Sequence, residues 1–237
     1  MASGKSVFEA VVGRLLFREV TTLEIRDLGR SFRLVGFGGD ALRSASWEAG
    51  DKIQIYLPGQ GMRTYTPMTW DADRGTAELL VYIHGTSPGA EWGRRLRVGD
   101  RWQLFGPRRS IRSTGPADPL VLFGDETSFG VARALADAKR GSSVRCVFEV
   151  NDAVESKAAL AELGVSGTTI ERRPADAHLA ATSERLLEEL DALPSAALVM
   201  TGRAQSIQLV RGRLKAKRAL RAGKVKAYWS VGKTGLD

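Results

Sequence analysis

The spacing of apolar residues changes character once along this chain, near Pro119, and that change limits the fold more than any single motif does. Upstream, short runs alternate in and out with a period of two. They read as strands over Val7–Phe17, Thr22–Leu28, Ser31–Gly38, Lys52–Leu57, Arg63–Trp70, Ala77–His84 and Arg101–Leu104. Breaker-rich turns separate them, such as Asp27-Leu28-Gly29 and Pro58-Gly59-Gln60-Gly61. Many short strands at this spacing predict a sandwich or a barrel. One short helix is expected there, over Gly89–Leu96.

Downstream, strand and helix alternate. Strands are expected over Leu120–Phe123, Val144–Val150, Thr168–Glu171, Ala197–Thr201 and Lys226–Val231. Helices are expected over Ser128–Arg140, Val154–Leu163, Leu179–Leu190 and Ala204–Ala222. Such alternation predicts parallel strands covered by helices. The breaker-rich connector from Ser113 to Pro119 is the expected boundary. In an open α/β sheet, ligands sit at the carboxyl ends of the strands, and the barrel would supply the facing wall.

The 237 residues are 43% hydrophobic and 26% charged, enough to bury a core as a soluble globular protein. A formal net charge of +8 favours an anionic partner without selecting one. The one cysteine, Cys146, lies in an apolar strand, so no internal disulfide forms and an inert core thiol is expected. The amino terminus lacks the pattern of a signal peptide, and no apolar run approaches the ~20 residues that span a bilayer. A cytoplasmic location without membrane contact is the expectation.

Three segments carry candidate chemistry. In Arg63-Thr64-Tyr65-Thr66-Pro67-Met68, alternation puts Arg63 and Tyr65 on one strand face and Thr64 and Thr66 on the other. An aromatic ring lies well against a flat π-system, arginine pairs with phosphate in a bidentate manner, and a threonine hydroxyl can bond a ring nitrogen. The same residues are also ordinary in a half-exposed strand. In His84-Gly85-Thr86-Ser87-Pro88-Gly89-Ala90 a strand ends, small residues follow and a helix starts. Free N–H groups at a helix start favour phosphate, though a plain connection fits equally well. His84 suits a ribose or phosphate oxygen, or a strand cap; one other histidine, His178, and a buried cysteine give little support to a metal site. Gly124-Asp125-Glu126-Thr127 follows the first strand of the α/β half, the usual nucleotide-facing position, with Asp125 or Thr127 as N-cap. Gly36-Phe37-Gly38-Gly39 precedes no helix and is no dinucleotide fingerprint.

Taken in order, the Arg-x-Tyr-Thr strand, the His-Gly loop with Trp92, Gly99-Asp100, Gly106-Pro107, Gly124-Asp125-Glu126-Thr127 and Tyr228-Trp229 resemble the siderophore-interacting protein family, a branch of the ferredoxin-reductase-like flavoproteins. The resemblance is strongest from Arg63 to Glu126 and weak from Asp152 to Leu193. It implies an antiparallel FAD-binding β-barrel over residues 1–112, followed by a parallel-sheet α/β domain over residues 119–237 that serves the electron donor and the siderophore. By position, Arg63, Tyr65 and Thr66 would hold the flavin and its phosphate, with Pro67 and Met68 beside them. His84, Gly85, Thr86, Ser87, Pro88, Gly89 and Ala90 would line the pyrophosphate and ribose. Asp125, Glu126 and Thr127 would lie near the adenine. Met68 stands where the family often has a second arginine. Ser128-Phe129-Gly130-Val131 replaces its Ala-Leu-Pro-Ala, and Gly202-Arg203 replaces a usual Gly-Glu.

The implied activity is reduction of a ferric siderophore, with FAD carrying the chemistry and NADPH, NADH or reduced ferredoxin as donor. No catalytic acid or base is required. Arg203 is placed to meet a nucleotide 2′-phosphate. From Arg203 to Leu236 the chain holds ten Lys or Arg and no acid. Arg211, Lys215 and Arg218 share a helix face, while Ile207, Val210 and Leu214 form an apolar stripe; Gly212 is a possible break. That basic face reads as a solvated surface, a site for an anionic chelate or nucleotide phosphate, or a nucleic-acid contact. Sparse aromatics weigh against the last. A flavin reductase for another small acceptor and a non-catalytic nucleic-acid-binding protein are the alternatives.

Overall fold

The computed structural model describes residues 17–111, 118–139, 142–217 and 223–232. The first part holds β1 (Phe17–Leu28), β2 (Phe32–Gly38), β3 (Lys52–Leu57), β4 (Gly61–Tyr65), β5 (Thr69–Asp71), β6 (Thr76–Tyr82), helix α1 (Pro88–Arg95) and β7 (Arg101–Arg108). Their order in the sheet is β4-β3-β7-β1-β2-β6-β5, with every pair antiparallel. The edge strands β4 and β5 are joined only by Thr66-Pro67-Met68. Such a joint spans at most about 14 Å, so the sheet must curl until its edges nearly meet. The expected strand over Arg63–Trp70 therefore breaks into two at Pro67, which cannot donate to a ladder. Pairing resumes as Met68 donates its N–H to the Glu78 carbonyl at 2.8 Å. Inward residues including Val35, Phe37, Ile53, Ile55, Leu79, Val81 and Leu104 fill the barrel. The expected strand over Val7–Phe17 lies almost wholly outside the described residues.

The second part holds β8 (Leu120–Gly124), α2 (Phe129–Ala138), β9 (Val144–Val150), α3 (Ala153–Glu162), β10 (Thr168–Glu171), α4 (Leu179–Ala192), β11 (Ala197–Arg203), α5 (Ala204–Lys217) and β12 (Val225–Trp229). The five strands are parallel in the order β10-β9-β8-β11-β12. The order reverses between β8 and β11, which makes a crevice at their carboxyl ends. Helix α5 runs unbroken through Gly212. The change of sheet falls between Arg108 and Leu120. Among the described residues no helix is long and apolar enough to cross a membrane.

The two sheets share a core. Leu28, Phe32, Met68 and Leu80 from the barrel pack with Leu122, Phe129 and Phe148. The Phe32 and Phe129 rings stack with centroids 5.3 Å apart. A polar clamp adds to this contact. Glu155 on α3 accepts the N–H of Arg30 at 2.5 Å, the N–H of Ser31 at 2.8 Å and the Ser31 hydroxyl at 2.8 Å, all from the β1–β2 turn. Bonds to a charged group contribute roughly 1.5–3 kcal/mol each in favourable cases. Glu155→Ala is expected to destabilise the protein by about 2 kcal/mol, and Glu155→Gln by less, in urea melts followed by fluorescence. A loss within 0.5 kcal/mol of zero for the alanine variant would remove the clamp.

Candidate functional site

Two surfaces meet where the barrel faces the parallel sheet. The first is built on β4 and α1. Arg63 and Tyr65 are half-buried, and the Tyr65 ring lies against Trp92 of α1 with centroids 5.8 Å apart. Gly89 permits this approach, because a Cβ there would sit 2.7 Å from the Tyr65 hydroxyl. Burial pushes the Tyr65 phenol well above its ordinary pKa. Arg63 donates to the Met62 carbonyl at 2.7 Å, which leaves most of its five N–H groups for another partner. Ser87 caps α1 by accepting the Ala90 N–H at 3.3 Å, with Pro88 at the first helical position. Gly85, Thr86 and Ser87 are exposed, whereas Gly89 and Ala90 are buried. Arginine, flat ring, threonine and helix start thus lie on adjoining elements.

Not every expected residue joins this surface. Pro67 is buried, and Met68 is 3% exposed within the core shared by the two sheets. His84 stacks on Tyr82 with centroids 4.5 Å apart, and the charges it feels are those of Glu126, Arg172 and Arg94. It belongs to the crevice. Burial is the main cause that lowers its pKa.

The crevice is a cavity of about 240 Å³ whose lining includes Tyr82, His84, Glu126, Arg172, Arg203 and Trp229. Asp125 caps the turn Glu126–Ser128 that leads into α2, as its sequence position suggests. Its carboxylate accepts the Thr127 N–H at 2.9 Å, the Arg203 N–H at 2.9 Å and the Trp229 indole N–H at 2.8 Å. The Thr127 hydroxyl also donates to it. Glu126 accepts from Arg172 at 2.9 Å, from the Asn151 N–H at 2.6 Å and from the Tyr82 hydroxyl at 3.1 Å. Arg172 lies 3.8 Å from both Asp125 and Glu149. Burial opposes its charge, but the carboxylates of Glu126, Asp125 and Glu149 outweigh that and hold it protonated. Glu149 in turn bonds His178 at 2.7 Å. The other His178 nitrogen accepts the Arg173 N–H at 3.2 Å, so the proton of a neutral ring sits on Nε2 and is donated to Glu149.

The described basic residues expected to receive an acceptor lie at the end of β11 and on α5. Arg203 reaches the crevice, but its guanidinium is paired with Asp176 at 2.6 and 3.0 Å. Arg211 and Lys215 are exposed on α5, which leaves the carboxyl end of β11 and runs back along the sheet. At 1.5 Å per residue they lie about 10 and 16 Å along the helix from its start. Arg218 lies outside the described residues. Cys146 is buried, and burial pushes its thiol up to about 12. Sequence reasoning missed Tyr82, Glu149, Asn151, Arg172 and His178. A signal was present for one of these: Glu149 is the only acid in an otherwise apolar strand end.

Residues 58–111 match the family model of the siderophore-interacting FAD-binding domain. The resemblance to the siderophore-interacting family is borne out. The fold is similar to that of a siderophore utilization protein from T. fusca, with a TM-score of 0.73 and 24% identity over 93% of this chain and 95% of that one. It is also similar to the siderophore-interacting protein from Acinetobacter baumannii, with a TM-score of 0.70 and 20% identity over 91% of each chain. Phthalate dioxygenase reductase, described as transferring electrons from pyridine nucleotides to a [2Fe-2S] centre, gives a TM-score of 0.70 and 17% identity over 94% of this chain and 71% of that one. These likenesses establish a ferredoxin-reductase-like architecture. No match is found among the curated proteins.

Burial first, and the neighbouring Glu126 second, raise the Asp125 pKa from 3.8 to about 6. The folded protein therefore holds this proton to a higher pH than the unfolded chain does. Stability from this group is lost as pH rises from about 4 to about 6, then stays level. Asp125→Asn is expected to remove that slope, worth on the order of 2–3 kcal/mol across the window. Urea melts of both proteins at stepped pH check it; parallel curves would assign the slope to other groups.

Proposed function

We propose that this chain is an FAD-dependent oxidoreductase that passes electrons to the ferric ion of a siderophore chelate. The observation that carries the reading is where the family match falls. Residues 58–111 take in β4, the Thr66–Met68 joint, the His84–Ser87 loop and α1. That is the stretch that builds the Arg63, Tyr65 and helix-start surface. A flavin suits this surface on physical grounds. Arg63 has N–H groups left for a phosphate, Tyr65 offers a flat ring, and Ser87–Ala90 present a helix start. Tyr228 lies against Thr66 from the last strand, and burial pushes its phenol up to about 12.

When bound, FAD supplies the conversion of a two-electron donation into single-electron deliveries. The residues of this chain hold, orient and shield it. No protein acid or base is needed for electron transfer to iron. Two donor classes suit a flavin: hydride from NADPH or NADH, or single electrons from reduced ferredoxin. Reduction weakens a ferric chelate and so would release the metal.

The protein is expected to bind FAD with quenched flavin fluorescence. Arg63→Ala should weaken binding roughly 10- to 100-fold, equivalent to about 1.5–3 kcal/mol, with little change in the melting temperature of the FAD-free protein. Unchanged fluorescence and melting temperature at saturating FAD would end this reading. Chemically reduced, FAD-loaded protein should be reoxidised by a ferric siderophore without oxygen. Failure with ferric chelates alongside success with other acceptors would turn the reading to a different flavin reductase. Joint substitution Arg211→Gln and Lys215→Gln tests the basic face of α5: if that face is only a solvated surface, kcat/KM for an anionic chelate stays within about twofold. A larger, salt-sensitive loss would place the acceptor against α5.

A further inference from the structure

In an open parallel sheet, a dinucleotide's pyrophosphate sits where the strand order reverses. Backbone N–H groups point at it, and a glycine lets it approach. Here that place lies between β8 and β11, and a side chain of the chain itself fills it. Asp125 is fully buried. It takes up the N–H of Thr127 in the turn that leads into α2, the N–H of Arg203 at the end of β11 and the indole N–H of Trp229. Gly202, at φ +101, lets the carboxylate in; a Cβ there would lie 2.5 Å from Oδ2. The N–H of Asp125 itself is turned to the Ser128 hydroxyl at 3.3 Å. Thus donors and glycine that would cradle a phosphate are already engaged with an anion. Glu126 puts a second carboxylate at the same helix start, and the nearby Arg203 guanidinium is held by Asp176.

We propose that Asp125 is a built-in occupant of the phosphate site of this crevice and excludes nucleotides that carry a pyrophosphate, such as ADP, NADPH and NADH, from it. A phosphate could enter only by displacing a buried carboxylate from three N–H donors, next to a second carboxylate that would repel it. The consequence for donor choice rests on the flavoprotein reading: the reductant would reach the flavin without a pyrophosphate anchored between β8 and β11. The occupancy itself does not depend on that reading.

Calorimetric titration of FAD-loaded protein with ADP and with NADP⁺, at about pH 8 where Asp125 is charged, tests the proposal. The wild type should show no saturable binding up to about 1 mM. Asp125→Gly, which opens the hole, should bind ADP at least tenfold more tightly than the wild type. A micromolar Kd of the wild type for NADP⁺ would overturn the proposal, as would equal ADP affinity in the two proteins. If the glycine variant does not melt as a folded protein, Asp125→Ser keeps a capping oxygen while removing the charge, and the same gain is expected. Flavin absorbance of each sample reports FAD loading separately. If no FAD is taken up, the flavoprotein reading fails, and the same titrations on the FAD-free protein still decide the occupancy.

Discussion

The joint Thr66-Pro67-Met68 is the constraint on which the rest of this molecule depends. It ties the two outermost strands of a seven-stranded sheet and so forces the sheet to close. Curling brings the ends of the two edge strands close to each other. It also puts the joint on the side where the second sheet docks: Met68 enters the core shared with Phe129 and Phe148, while Tyr228 lies against Thr66. Arg63 and Tyr65 precede the joint on β4 and face α1. One short segment thus curls the barrel, fixes its partner and follows directly on the strand that sets Arg63 and Tyr65 against α1.

The crevice follows a different logic. Three buried carboxylates, Asp125, Glu126 and Glu149, gather around one guanidinium, that of Arg172. Buried charges are tolerated only with partners and hydrogen bonds. Asp125 relies on N–H donors at a helix start, where the helix dipole favours negative charge. Glu126 relies on Arg172, Asn151 and Tyr82, and so ties the barrel to the sheet. Glu149 leans on His178. Removing Arg172 would leave these carboxylates short of charge, a far costlier change than loss of a surface pair.

Local pattern carried much of this fold. The strands Lys52–Leu57, Val144–Val150 and Thr168–Glu171 are read with the observed ends, the first from a period-two run and the other two as short strand-forming runs between helices. Pro67 was legible as a residue but not as a break, since only the sheet order makes β4 and β5 opposite edges. The helix-start surface was legible because its parts lie within one stretch from Arg63 to Trp92. The crevice was not. Tyr82, Asn151, Arg172 and His178 come from four separate segments, and nothing in their local spacing predicts that they meet. Asp125 or Thr127 was read as the cap, and Asp125 fills that place. Its bonds to Arg203 and Trp229 span 78 and 104 residues and could not be foreseen.

The Glu155 clamp has a consequence for the order in which the protein is made. Its acceptor lies 124 and 125 residues beyond the turn that it holds. A chain emerging from the ribosome therefore completes every barrel strand from β1 to β7 before the residue that secures its first hairpin has been synthesised. Until then the Arg30 and Ser31 N–H groups and the apolar face around Phe32 and Leu80 stay open to water and to other nascent chains. Contacts this distant slow folding and lengthen exposure. The amino-terminal barrel is accordingly the half whose contact face waits longest for its partner, because that partner is the last part of the chain to be made.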